Sequence, residues 1–105
     1  MNDKVEILPE DRIKLTQDQK NLIELAFVRQ VPPEDAELIE MVKKEAKKEA
    51  NPISRLSEYF ITKYGFDFGT IYLSAIMGGR EEYDEAVRVI EKSKAQKRLE
   101  NIQKN

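Results

Sequence analysis

Apolar residues recur at helical spacing in successive stretches of the chain, and residues that start or stop helices bound each stretch. Residues 16–19 (Thr-Gln-Asp-Gln) match a capping box, in which the Thr16 hydroxyl accepts from the Gln19 amide while the Gln19 side chain reaches back. This box predicts a helix that begins after Thr16 and ends before the proline pair at 32–33. Apolar residues cover a broad face of this stretch, which indicates a central helix.

Two further helices are predicted to begin at prolines. The first covers residues 33–50 and places Glu34 and Asp35 at the positive end of its dipole. Its apolar stripe consists of Leu38, Ile39, Val42 and Ala46. We interpret the lysines near its carboxyl end as a solvated face; they are Lys43, Lys44, Lys47 and Lys48. The next helix begins at Pro52, stops at Gly65 and carries the stripe Ile53, Leu56, Phe60 and Tyr64.

The rest of the chain predicts a short, almost entirely apolar helix over 68–77, capped by Asp67, and a last helix over 80–103. Two adjacent glycines at 78–79 separate them. The core stripe of the last helix is Tyr83, Ala86, Val87 and Ile90. Because Leu99 and Ile102 are out of phase with this stripe, we expect residues 92–105 to project as a basic helix end.

Residues 5–15 alternate apolar and polar positions around a Pro-Glu-Asp break, which leaves a small β-hairpin, an extended arm and plain coil open. The pattern as a whole predicts an all-α protein, a single small domain of four to five helices. We expect residues 1–15 to be the arm or hairpin, residues 16–91 the helical core, and residues 92–105 the projecting end.

Composition narrows the chemistry that the domain can perform. The 105 residues include neither cysteine nor histidine, which removes the usual ligands of transition metals and the commonest general base. We therefore expect no enzyme, no metal and no cofactor or small-molecule ligand. No apolar run reaches the roughly 18 residues that a membrane span needs, and no signal sequence is evident, so a cytoplasmic location is predicted.

Residues 56–71 resemble the helix-turn-helix of DNA-binding repressors. Gly65, an apolar residue and Asp67 precede Thr70-Ile71, which is similar to the repressor pattern Gly-Val-Ser-x-x-Thr-Val. The resemblance implies a transcriptional regulator that would contact DNA through Thr70, Tyr72, Ser74 and Arg80. However, residues 68–77 carry no cation and the net charge is -2, which favours an ordinary helical hairpin over a DNA reader.

The preferred hypothesis is a helical protein-binding module, such as a regulator, inhibitor or assembly factor, that docks on a larger protein or on itself. Its expected partner contacts are Leu99 and Ile102, with Lys97 and Arg98 complementing an acidic surface. A second apolar interface is expected at Phe68, Tyr72 and Met77, because a chain this short has little material to cover the helix at 68–77.

Overall fold

Helices make up most of the chain in the computed structural model, which describes residues 5–45 and 52–103. A 3-10 turn at Pro9–Asp11 precedes four helices: α1 (Gln17–Phe27), α2 (Pro33–Glu45), α3 (Pro52–Tyr64) and α4 (Phe66–Gln103). The described residues contain no strand, so the predicted all-α class is confirmed and the hairpin alternative is not adopted. Residues 5–15, here called the N-terminal arm, run without regular structure on either side of the turn.

The capping box starts α1 as predicted. The Gln19 amide donates to Thr16 Oγ1 at 3.1 Å, and the Thr16 amide donates to Gln19 Oε1 at 2.9 Å. The helix ends before the prolines, where Arg29 takes a left-handed conformation (φ 59°) and the Gln30 amide donates to the Leu25 carbonyl at 2.8 Å. Helix α1 is thus closed by local hydrogen bonds at both ends.

Gly65 ends α3 as the sequence predicts, with φ at 90° and its amide donating to the Ile61 carbonyl at 2.8 Å. The next helix begins directly at Phe66, so Asp67 lies inside its first turn and pairs with Lys94 instead of capping it. At Gly69 the two helices approach so closely that a Cβ atom would lie 2.6 Å from the Phe60 carbonyl oxygen.

Helix α4 is broken at Gly79, whose φ of 74° and ψ of -155° are not helical. Only a residue without a side chain takes this conformation easily, so the predicted break at 78–79 is confirmed. We call residues 66–78 the proximal segment of α4 and residues 80–103 its distal segment.

The core lies where α1, α2 and α3 pack around the proximal segment and the start of the distal segment. Its buried apolar side chains are Ile23, Ala26, Ile39, Val42, Leu56, Phe60, Phe68, Ile71, Tyr72, Leu73, Ala75 and Ile90. Tyr83, Ala86 and Val87 pack against this cluster half-buried, which agrees with the predicted stripe of the last helix. Lys43 and Lys44 are exposed, whereas Ala46, Lys47 and Lys48 lie outside the described residues.

Candidate interaction surface

Asp11 anchors the N-terminal arm to the distal segment. Its carboxylate is almost fully buried and receives Arg98 Nη2 at 3.0 Å and Arg98 Nε at 3.3 Å from each oxygen. The Leu8 amide donates to the same carboxylate at 3.0 Å, and Arg98 Nη2 also donates to the Glu6 carbonyl at 3.2 Å. The Arg98 hydrogen bond and the Leu8 amide together hold the pKa of Asp11 below its ordinary value.

A second carboxylate, Glu91, holds the arm two turns nearer the start of the distal segment. Glu91 is buried and accepts from the Ile13 amide at 2.9 Å and from Arg12 Nη1 at 3.5 Å. The arm is therefore fixed to α4 at two points, Glu91 and Arg98, which are two helical turns apart. We call this pair of contacts the arm clamp.

Residues 92–98 are held by the arm clamp, although the sequence predicts that the projecting helix end begins at residue 92. Ala95 is fully buried, and the Arg98 side chain is only 22% exposed. The distal segment is thus held as far as Arg98, and only the residues beyond it extend past the clamp. Arg98 is engaged by Asp11 within the same chain, which corrects the expectation that its charge is available to an outside acidic surface.

Leu99 and Ile102 remain on the surface, 38% and 63% exposed. They follow Ala95 by four and seven residues, so the three share one side of the helix with Arg98. Lys97 is exposed, but at 100° per residue it lies on nearly the opposite side from Leu99. Of the four predicted partner contacts, the structure therefore brings together Arg98, Leu99 and Ile102 and separates Lys97 from them.

The second predicted interface divides between core and surface. Phe68 and Tyr72 are buried, whereas Met77 is 50% exposed. This corrects the expectation for the two aromatic residues, because the other helices cover the proximal segment more completely than the length of the chain suggested. Met77 borders a groove between α1, α2 and α4 that is lined both by apolar residues, such as Ile39 and Ile76, and by the charged residues Arg29, Glu40 and Lys43.

The residues predicted to contact DNA do not form a row of free donors. Tyr72 is fully buried, and Ser74 Oγ donates back to the Thr70 carbonyl of its own helix at 2.9 Å. Arg80 lies beyond the break at Gly79, with its guanidinium 4.4 Å from the centre of the Phe27 ring. The proximal segment thus presents to solvent little that could read base edges.

A buried carboxylate that the sequence analysis did not single out joins three helices. Asp35 of α2 is 1% exposed and accepts from Lys63 Nζ at 2.8 Å, Tyr64 Oη at 2.7 Å and Tyr72 Oη at 2.9 Å. Burial by itself would raise the pKa of Asp35, but these three hydrogen bonds together lower it below its ordinary value. The donors to Asp35 belong to α3 and α4, so the network connects α2 to both of these helices. Its role is structural, and we call it the joint between α2, α3 and α4.

From the sequence alone, Asp35 is expected only to interact favourably with the dipole of α2. A signal for its burial is nevertheless present, since Ile39 and Val42 follow it at four and seven residues on the apolar stripe. Glu91 carries the same signal, four residues after Val87. An acidic residue in phase with an apolar stripe therefore marks a buried carboxylate in both of these helices.

Residues 5–45 and 52–103 contain no group of three or more acidic side chains placed to hold a metal ion. Within the same ranges, no helix combines the length and the apolar character that crossing a bilayer requires.

Comparisons of the chain with protein-family models, with curated proteins and with solved structures find no significant match. The class that the fold defines is accordingly a small all-α domain.

The arm clamp yields a direct prediction. Replacing Arg98 by Ala removes the hydrogen bonds that Arg98 donates to the Asp11 carboxylate, whereas the bond from the Leu8 amide is kept. We therefore expect the arm to open while α1 to α3 stay folded. Amide hydrogen exchange should become faster at Leu8 and stay unchanged at core amides and at Ile13, which remains bonded to Glu91 and packed on the core. Lys97→Ala is the matched control and should leave the arm amides protected. Unchanged protection in Arg98→Ala would show that the clamp does not hold the arm.

Proposed function

We propose that the chain is a non-enzymatic protein-binding module, a regulator, inhibitor or assembly factor, that docks through the end of α4. The observation that supports this is the exposure of Leu99 and Ile102 directly beyond the arm clamp. The arm clamp holds the distal segment up to Arg98, and these two exposed apolar side chains follow immediately on the same side of the helix.

The expected binding energy comes from burial of those side chains. Covering a Leu or an Ile side chain contributes about 1.5 to 3 kcal/mol each. Because the helix is already folded, little conformational entropy is lost when it docks. Two apolar anchors three residues apart are typical of a helix that lies against an apolar groove of its partner. Self-association through the same residues is the other form of this function.

None of the contacts described above supports DNA binding. Of the residues that the helix-turn-helix resemblance assigns to base contacts, Tyr72 is buried, the Ser74 hydroxyl is bonded within its helix and Arg80 lies over the Phe27 ring. We therefore do not propose it as a second function.

The proposal is tested by a double substitution, Leu99→Asp with Ile102→Asp, compared with Val89→Asp. Val89 lies on the same distal segment, is also well exposed and faces a different side of the helix. A tagged wild-type chain is used to retain proteins from an extract of its native cells, alongside both variants and a sizing experiment on each. We expect that wild type and Val89→Asp retain a partner protein from the extract, or form a dimer in the sizing experiment, and that the double variant does neither.

If the double variant keeps every species and oligomer that the wild type forms, the end of α4 is not the docking surface. If the wild type retains nothing and stays monomeric at high concentration, the chain is not a binding module of this kind.

A further inference from the structure

The N-terminal arm is bound along one side of α4, a surface here called the track, as far as Arg98, the residue directly before Leu99. Arg98, Leu99 and Ile102 lie on one side of the helix, and the arm's Asp11 is bound to the first of them. The surface proposed above for a partner is thus continuous with a surface that the chain already covers with its own N-terminal residues.

The contacts of the arm are those of a bound acidic peptide. A carboxylate pairs with Arg98 through three donor-acceptor contacts, and a backbone carbonyl, that of Glu6, accepts from the same guanidinium. A backbone amide, that of Ile13, donates to the buried Glu91. Arginine paired with a carboxylate in this way is a strong and directional contact, and backbone groups of any extended peptide can make the other two.

The arm is also held mainly by these polar contacts. Pro9 and Glu10 at the turn are exposed, and Val5, Ile7 and Leu8 are only half-buried and do not belong to the apolar core. A segment held by a few charged and backbone hydrogen bonds can detach without disturbing the helices beneath it. Ile13 and Leu15 pack against the core, so the connection to α1 stays fixed when the rest of the arm leaves.

The charge of the track matches an acidic ligand. Arg98 supplies a positive charge on the side of α4 that carries Leu99 and Ile102, whereas Lys97 lies on nearly the opposite side. Lys94 is paired with Asp67 and Arg98 with Asp11, so removal of the arm would leave the Arg98 guanidinium without its buried partner. A buried or half-buried cation without a partner favours binding of another carboxylate.

From these contacts we infer that the arm is an intramolecular competitor for a peptide-binding track on α4, and that the natural ligand is an extended acidic segment of the partner protein. The ligand places a carboxylate on Arg98, in the position that Asp11 occupies when the arm is closed, and its neighbouring apolar residues cover Leu99 and Ile102. This inference rests on the proposed function, because it describes how the partner reaches the same end of α4.

The competition has a quantitative consequence. A segment tethered to its own binding site acts as a ligand at an effective concentration on the order of millimolar. The closed arm therefore weakens the binding of any outside segment, and opening the arm should strengthen that binding by about tenfold or more.

The test uses the full chain and a synthetic peptide of residues 5–15 as the probe. The peptide is added to wild type and to Asp11→Ala, and the nitrogen resonance of Arg98 Nε and the methyl resonances of Leu99 and Ile102 are followed by NMR. In Asp11→Ala we expect the peptide to return the Arg98 resonance to its wild-type position, at a peptide concentration that leaves wild type unchanged. A peptide carrying Asp11→Ala is the matched control and should not bind.

Equal binding to wild type and Asp11→Ala, or no binding to either, overturns the inference. Asp11→Asn, which keeps the shape of the side chain and removes its charge, serves as the receptor if Asp11→Ala unfolds. In the native extract, the inference predicts that Asp11→Ala retains more of the partner than wild type does. A partner whose retention depends on Leu99 and Ile102 and not on Asp11 would leave the proposed function standing and refute the competition. If the peptide binds Asp11→Ala but no partner is retained from the extract, the competition by the arm stands and the proposed function is refuted.

Discussion

Replacing Phe60 by Ala is expected to lower the free energy of unfolding by about 3 to 5 kcal/mol, as truncation of a buried Phe does. Phe60 is fully buried, with its ring centre 5.6 Å from that of Tyr72 in an edge-to-face arrangement and 6.1 Å from that of Tyr64 in a stacked one. The cavity cannot close by moving the helices together, because the backbone of Gly69 already lies against the Phe60 carbonyl. The full cost of the cavity should therefore appear.

Denaturant unfolding of Phe60→Ala and Tyr59→Ala checks this prediction. Tyr59 is the preceding residue of the same helix and an aromatic of similar size, but it is 37% exposed. We expect its truncation to cost well under half as much as that of Phe60. Similar costs for the two variants would mean that α3 turns a different side to the core.

The local part of this fold could be predicted from the sequence, since short-range chemistry determines where the helices begin and break. The Thr16–Gln19 box acts over three residues, and the glycines at 65 and 79 act through their own backbone conformation. The same kind of information identifies Phe60 and Ile90 as core residues from their spacing. None of these features depends on where distant parts of the chain lie.

The arm clamp depends on a distant contact, and for that reason it could not be predicted from local patterns. Asp11 and Arg98 are separated by 87 residues, and nothing near either residue identifies the other. Without this pairing, residues 92–105 have the pattern of a free basic helix end. The prediction that Phe68 and Tyr72 lie on the surface is wrong for the same reason. Other helices bury these side chains, and the local pattern does not specify how those helices pack.

Replacing Asp35 by Ala is expected to destabilise the chain by roughly 2 to 5 kcal/mol, because a buried donor left without an acceptor costs about 1 to 3 kcal/mol. The hydroxyls of Tyr64 and Tyr72 both lose their acceptor, and Tyr72 lies where water cannot replace it. Lys63 is partly exposed and can be rehydrated, so it adds little to this cost.

Glu34→Ala is the matched control for Asp35→Ala. Glu34 is the neighbouring carboxylate and also pairs with Lys63, at 3.2 Å, but its side chain is almost fully exposed. We expect its removal to change the free energy of unfolding by less than about 1 kcal/mol. A large effect of Glu34→Ala, or a small one of Asp35→Ala, would show that burial of the carboxylate is not what makes the joint between α2, α3 and α4 stable.

The pH dependence of stability distinguishes the charge of Asp35 from its shape. The pKa of Asp35 in the folded chain lies below its ordinary value of 3.8, so above that pH the carboxylate is ionised in both states and its stabilising effect is fully present. As the pH falls below about 4, the unfolded chain takes up the proton first, and the contribution is lost as the pH passes through the lower folded pKa.

Asparagine keeps the shape and one acceptor oxygen but cannot titrate. The difference in free energy of unfolding between wild type and Asp35→Asn should therefore be constant from pH 7 to about pH 5 and shrink below about pH 4. Asp11, whose pKa is also lowered, titrates in the same window in both proteins and cancels in this difference. A difference that stayed constant down to the acid unfolding of the protein would mean that Asp35 stabilises the joint by its shape and not by its charge.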